Sequence, residues 1–309
     1  MVWDSVRGVN KTLYTEDTYA ETTSDSTGYI TEFGSNGFTF ALSGGSEAQL
    51  NASGHTYLAW CWKAGGAAVT NNVGSISSQV SVNTKAGFSI VTYTGTGSST
   101  TVGHGLGVKP GWIIIKCRSN VDNWMVYHNQ ANGGSSPEDQ YFELNAQGGD
   151  IDSTAMLNDT APTSTVVTIG SDNSVNGNGR TYVMYCWNEI PGYSKFGGFT
   201  GNGSTDGIYV NLGFRPAWLM LKRADSSSEW NIWDINRNVG EQPLAREIRA
   251  SRTYAESGYD AARYVDFLSN GFKMRTSDGD HNANGGRYIY MAFAEQNVAN
   301  QYGAQSNAR

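Results

Sequence analysis

Gly105-Leu-Gly-Val-Lys-Pro-Gly-Trp-Ile-Ile-Ile-Lys116 returns at an offset of 106 (105 to 211) as Asn211-Leu-Gly-Phe-Arg-Pro-Ala-Trp-Leu-Met-Leu-Lys222. The proline fixes the strand entrance without removing a ladder hydrogen bond. The unbroken apolar run after it is the pattern of a strand buried on both faces. A second phrase closes each copy: Tyr182-Val-Met-Tyr-Cys-Trp-Asn-Glu189 and Tyr288-Ile-Tyr-Met-Ala-Phe-Ala-Glu295. Its early echo is Tyr57-Leu-Ala-Trp-Cys-Trp-Lys63. A period of this length means tandem domain-sized units, since solenoid repeats run about 20–50 residues.

Between these phrases lie shorter matches. Thr94-Gly-Thr-Gly97 and Thr200-Gly-Asn-Gly203 are turn tetrads, where glycine supplies positive φ. Asp122-Asn-Trp-Met-Val-Tyr-His128 aligns with Ser228-Glu-Trp-Asn-Ile-Trp-Asp234. Asn-Gly hairpin signals sit in Phe33-Gly-Ser-Asn-Gly-Phe38 and Phe267-Leu-Ser-Asn-Gly-Phe272. Short strands at regular spacing, divided by turn signals, predict an all-β chain of tandem antiparallel β-sandwich units, jelly-roll or lectin-like, the first one incomplete. The best helix candidate is Glu241-Gln-Pro-Leu-Ala-Arg-Glu-Ile-Arg-Ala250.

The expected organisation is a partial unit over 1–65, a linker with a strand over 66–86, full units over 87–190 and 191–297, and a tail over 298–309. Val2-Trp-Asp-Ser-Val-Arg7 matches Ile232-Trp-Asp-Ile-Asn-Arg237, so the sequence enters partway through a repeat. The first unit then lacks its opening strand and its Pro-Trp strand, which leaves an edge to be covered. Val2, Trp3, Ser5 and Arg7 are therefore the expected assembly edge. Ser75-Ile-Ser-Ser-Gln-Val-Ser-Val82, a neighbouring subunit or another protein would fill the gap.

Composition narrows the function. Charged residues are 16%, below the roughly 25% of average domains. The net charge of −7 argues against nucleic acid, which needs a basic face. No apolar stretch is long enough to span a membrane, so no membrane insertion is expected. The start lacks the basic and apolar run of a secretory signal, so synthesis in a cytoplasm is expected. Cys61, Cys117 and Cys186 read as buried free thiols, because equivalent positions in separate units lie too far apart to bond.

Catalytic patterns are sparse. No metalloprotease, nucleophile-elbow, P-loop or dinucleotide motif occurs, and no catalytic residue is assigned. His55, His104, His128 and His281 do not recur between units or fall at metal-ligand spacing. Glu138, Asp139, Glu143, Asp150 and Asp152 have no reliable acidic counterparts, which counts against a carboxylate pair for glycoside hydrolysis. Asp278, Asp280 and Asn282 place hard oxygen ligands at alternate positions, a candidate calcium loop set against an Asx-turn loop. Tyr127, Tyr193 and Trp233 are the candidate glycan-stacking aromatics, set against core packing. No other cofactor is expected.

Phrases such as Asp4-Ser-Val-Arg-Gly8, Phe33-Gly-Ser-Asn-Gly-Phe38, Ser53-Gly-His-Thr-Tyr-Leu-Ala-Trp-Cys-Trp-Lys-Ala-Gly-Gly66 and Val265-Asp-Phe-Leu-Ser-Asn-Gly-Phe272 resemble a family of repeat proteins encoded by marine bacteriophages. The resemblance runs over nearly the whole chain. It implies a virion structural protein, tail-fibre-like or lectin-like, made in the host bacterial cytoplasm. Its expected partners are other copies of itself, other virion proteins and a host cell-surface glycan. It supplies no catalytic residues. A glycan-binding receptor module is the alternative, and a polysaccharide depolymerase is the third reading.

Overall fold

The computed structural model describes residues 1–41, 50–237, 242–256, 258 and 260–294. The chain is all-β, with antiparallel ladders throughout its named strands. It divides into two compact units. The first takes Met1–Met125, Ala155–Asn158 and Pro162–Trp187. The second takes Val126–Thr154, Asp159–Ala161 and the chain from Asn188.

In the first unit the closing phrase is the middle of the sheet. Thr181–Trp187 pairs with Phe88–Thr94 on one side and with the Pro-Trp strand Trp112–Cys117 on the other. Ile113, Ile115, Val183 and Met184 are fully buried, as a strand covered on both faces requires. Ser78–Asn83 adds outside Phe88–Thr94, and Val69–Asn71 adds outside that. A two-stranded ladder joins Thr100–Gly103 to Val166–Ile169.

The second unit repeats this plan. Arg287–Ala294 lies between Ser194–Thr200 and the Pro-Trp strand Pro216–Arg223. Asn231–Asp234 and Ile248–Arg249 extend the sheet. A second sheet, Tyr209–Asn211, Gly271–Met274 and Val265–Leu268, faces it. Leu219, Leu221, Tyr288 and Tyr290 from one sheet meet Val210, Val265, Phe267 and Phe272 from the other in one apolar core.

The turns are pinned by the same side chains in both units. Asn176 donates its amide to the Ser98 and Gly170 carbonyls and accepts from the Thr96 amide. Asn282 donates to the Ser204 and Thr276 carbonyls and accepts from the Asn202 amide. Gly95 and Gly201 pass so close to these segments that a Cβ would lie 2.5 and 2.3 Å from the Gly177 and Ala283 carbonyl oxygens.

Four expectations differ from the structure. Residues 242–250 form no helix. Pro243 interrupts the segment, Leu244 bridges to Val265, and Ile248–Arg249 is a strand. Residues 57–63 carry the central-strand phrase but lie in no ladder, and Cys61 is exposed. In the full units that strand is held between an opening strand and a Pro-Trp strand, and the first repeat has neither. Ser78–Asn83 does not complete the first repeat; it extends the sheet of the second. Finally, residues 1–65 do not stand as a unit of their own but belong to the same compact unit as Phe88–Thr94 and Trp112–Cys117. The tail over 298–309 lies outside the described residues.

Candidate functional site: the loop arms and the ionic cluster

The expected assembly edge is occupied within the chain. Val2 exchanges backbone hydrogen bonds with Leu13, and the Trp3 indole donates to the Thr12 hydroxyl. Arg7 is buried, with its Nε on Asp4, its Nη2 on the Val2 carbonyl and its Nη1 on Glu21. Tyr185 donates to the same Asp4 carboxylate. Only Ser5 of the four named residues is exposed. Asp4 and Arg7 are a structural clasp, and the second unit repeats it with Asp234 and Arg237, whose Nη2 donates to the Ile232 carbonyl.

Two loop arms share one pattern of contacts. The first arm, residues 13–21, is based on the short ladder Lys11–Thr12 with Thr22–Thr23. The second, residues 142–150, is based on Gln140–Glu143 with Ile151–Asp152. Each arm cradles the end of a Pro-Trp strand. Lys116, fully buried, donates to the carbonyls of Thr18 (3.2 Å), Cys117 (2.9 Å) and Asp122 (3.0 Å). Lys222 donates to those of Gln147 (3.0 Å), Arg223 (2.9 Å) and Ser228 (3.0 Å). Burial pushes both amines down to about 8, while the three carbonyls keep the ammonium form satisfied.

The remaining contacts match one for one. The Trp124 indole donates to the Tyr14 carbonyl at 2.8 Å, and the Trp230 indole to the Glu143 carbonyl at 2.9 Å. The Glu21 amide donates to the Arg118 carbonyl, and the Asp150 amide to the Ala224 carbonyl. Arg118 grips Glu21 through both carboxylate oxygens at 2.9 Å. Arg287 reaches Asp150 at 3.2 Å.

A third segment has the same make-up. Residues 248–256 follow the Asp234–Arg237 clasp, and Arg237 reaches Glu256 at 3.2 Å, as Arg7 reaches Glu21 at 3.1 Å. Ile248 pairs with Ile232, as Leu13 pairs with Val2. The sequence Thr253-Tyr-Ala-Glu256 is identical to Thr18-Tyr-Ala-Glu21. This match lies off the main offset of 106 between the repeats.

The base of this third arm holds the densest ionic cluster described in the second unit. Glu247 is buried and takes Arg249 and Arg263 on one oxygen and His281 on the other. His281 is also within 2.9 Å of Asp278. Burial alone would lower the His281 pKa, but the carboxylates on both ring nitrogens raise it to about 9. The imidazolium thus fastens the arm to the Asp278–Asn282 turn.

The sequence-derived candidates resolve as follows. Asp278 caps the Gly279–Asn282 turn by accepting from the Asp280 amide, while Asn282 pins the neighbouring loop. Among the described residues no group of three His, Cys, Asp or Glu side chains could hold a metal. Tyr127 and Trp233 are fully buried and cannot stack on a sugar; Tyr193 is half-buried against Phe293. Core packing took these rings because their strands are covered on both faces. His104 and His128 are buried, with burial pushing both pKa values down, His128 to about 4. Each accepts a backbone amide two residues on, from Leu106 and Gln130, so both are local turn staples.

The chain belongs to the DUF7483 family, a domain of unknown function. The family model matches residues 1–297, which include the first unit and all three arms. No curated protein and no solved structure matches the chain. The DUF7483 match therefore adds no ligand or activity to what the geometry supplies.

Proposed function

We propose that this chain is a non-enzymatic structural component of a bacteriophage virion, a tail-fibre or other surface-exposed capsid- or tail-attached part engaged in assembly and host adhesion. One observation carries the reading: the polar side chains that the repeats share hold strands, turns and arms. Lys116 and Lys222, Asn176 and Asn282, and Asp4 and Asp234 all have their hydrogen-bonding capacity directed at the fold itself. The resemblance to marine phage repeat proteins supports the same reading. Mass spectrometry and antibody-labelled electron microscopy of purified particles test it. The expected result is the chain at fixed stoichiometry on the particle surface; recovery only as free soluble protein overturns it.

A glycan-binding reading has one observation in its favour. Glu247, Arg249, Tyr254, Ala255 and Arg263 line a cavity of about 180 Å³ in the second unit. Tyr254 is 62% exposed there, an aromatic platform beside guanidinium and carboxylate groups. Glycan-array binding by the full chain, reduced at least tenfold by Tyr254→Ala, is the expected result of this reading; equal binding by both proteins rejects it.

A further inference from the structure

We infer that the third arm, residues 248–256, is an assembly arm that docks into the first unit of a second copy of this chain, in the place its own first arm takes. The docked form is already visible twice. In the first and second arms the carbonyl three residues before the last position, that of Thr18 or Gln147, accepts a buried lysine amine and a backbone amide. The last position, Glu21 or Asp150, donates its amide to the carbonyl of the residue just after the Pro-Trp strand, Arg118 or Ala224. In the third arm the equivalent Thr253 carbonyl and Glu256 amide have no hydrogen-bond partner among the described residues. Thr253, Tyr254 and Ala255 are exposed. The Glu21 side chain is 9% exposed and the Glu256 side chain 29%.

Shape selects which socket receives the arm. Ala255 aligns with Ala20 in the first arm and with Gly149 in the second. A Cβ on Gly149 would lie 2.4 Å from the Ala224 carbonyl oxygen, closer than a real Cβ approaches. The socket of the second unit therefore excludes an alanine, whereas that of the first already holds one. Charge agrees, because Glu256 would meet Arg118 as Glu21 does. Such a contact is heterologous, one surface of the chain meeting a different one on its neighbour, and a head-to-tail contact of this kind can propagate.

The inference rests on the structural reading above, yet it is tested on the purified full chain without particles. Sedimentation velocity would compare wild type, Glu21→Arg, Ala255→Arg and the double variant. Glu21→Arg sets a cation against Arg118 and Arg7 and loosens the resident arm; the expected result is association at least tenfold tighter than wild type. Ala255→Arg, at an exposed position, is expected to return the double variant to the wild-type level or below. Association unaffected by Ala255→Arg overturns the inference, as does a folded Glu21→Arg chain that stays monomeric. Should Glu21→Arg fail to fold, wild type and Ala255→Arg decide the matter alone. Concentration-dependent oligomers in wild type that Ala255→Arg reduces tenfold support the inference, and a wild type monomeric at every concentration overturns it. A chain that never exchanges arms yet sits on particles would leave the virion reading standing.

Discussion

The first and third arms share Thr-Tyr-Ala-Glu and an Asp–Arg clasp, but one is covered and the other open. Residues 13–21 lie against Lys116, Arg118 and Trp124. In residues 248–256 the base is fastened through Glu247 and His281, Ser251 and Arg252 are held by Glu229, and Glu256 by Arg237 and Arg246, while Thr253, Tyr254 and Ala255 stay exposed. Local sequence thus sets the shape of the arm, while a separate strand end sets whether it is buried. The second arm makes the same point from the other side. Phe142-Glu-Leu-Asn-Ala-Gln-Gly-Gly-Asp150 shares almost no letters with the first arm, yet it makes the same backbone contacts. Backbone carbonyls and amides do the docking, so side-chain identity is loosely constrained except where the approach is closest.

The largest way to break this comparison is to remove a lysine. Lys116→Met leaves the Thr18, Cys117 and Asp122 carbonyls without their shared donor, at a cost of about 3 kcal/mol. Hydrogen exchange should rise in residues 13–21 and stay unchanged in 142–150. Lys222→Met should give the converse. A substitution that opened both arms equally would mean that they are not independent.

The glutamates come next. Glu21→Ala breaks a bidentate pair with Arg118 and a buried pair with Arg7, and should cost about 2 kcal/mol in chemical denaturation. Glu256→Ala removes two partly solvated pairs and should cost under about 1 kcal/mol. Equal losses would erase the distinction between the covered and the open arm.

Alkaline pH should separate the two units. His281 has a folded pKa of about 9 against an ordinary 6.5, so its stabilisation is complete below about pH 6.5 and disappears as pH rises through 9. Lys116 and Lys222 have folded values of about 8 against 10.5, so the unfolded chain holds more protons in between and these lysines favour folding increasingly from pH 8 to 10.5. Between pH 7 and 9, tryptophan fluorescence and hydrogen exchange should show residues 248–256 loosening before residues 13–21. His281→Gln should remove that pH step. The smallest expected effect is that of calcium: with Asp278 capping a turn and Asn282 pinning a loop, millimolar calcium or a chelator should shift the melting temperature of either unit by less than about 1 °C.

Much of the fold was legible because the repeat preserves what strands and turns need. Pro-Trp strands, Asn-Gly hairpins and glycine tetrads all fall where the phrases place them. The central-strand phrase at 57–63 misled because a strand needs neighbours as well as a pattern. The segment 242–250 misled because helix-forming residues were recruited into tertiary pairing. The arms were least legible. Their contacts run through backbone atoms, and Thr-Tyr-Ala-Glu recurs off the main period. The candidate aromatics Tyr127 and Trp233 looked half-exposed by alternation, but alternation cannot report a second covered face.

The lysine cradles give the molecule its own chemical gauge. An amine whose three hydrogens all point at carbonyls, sealed from solvent, offers no lone pair to an acylating reagent. While its arm is seated, Lys116 should stay unmodified as surface lysines such as Lys85 and Lys109 are labelled. Once the arm departs, Lys116 loses the Thr18 carbonyl and its cover, and the amine becomes open to the reagent. Footprinting that one amine would therefore count, in a crude lysate or on a particle, the fraction of chains whose first socket stands empty.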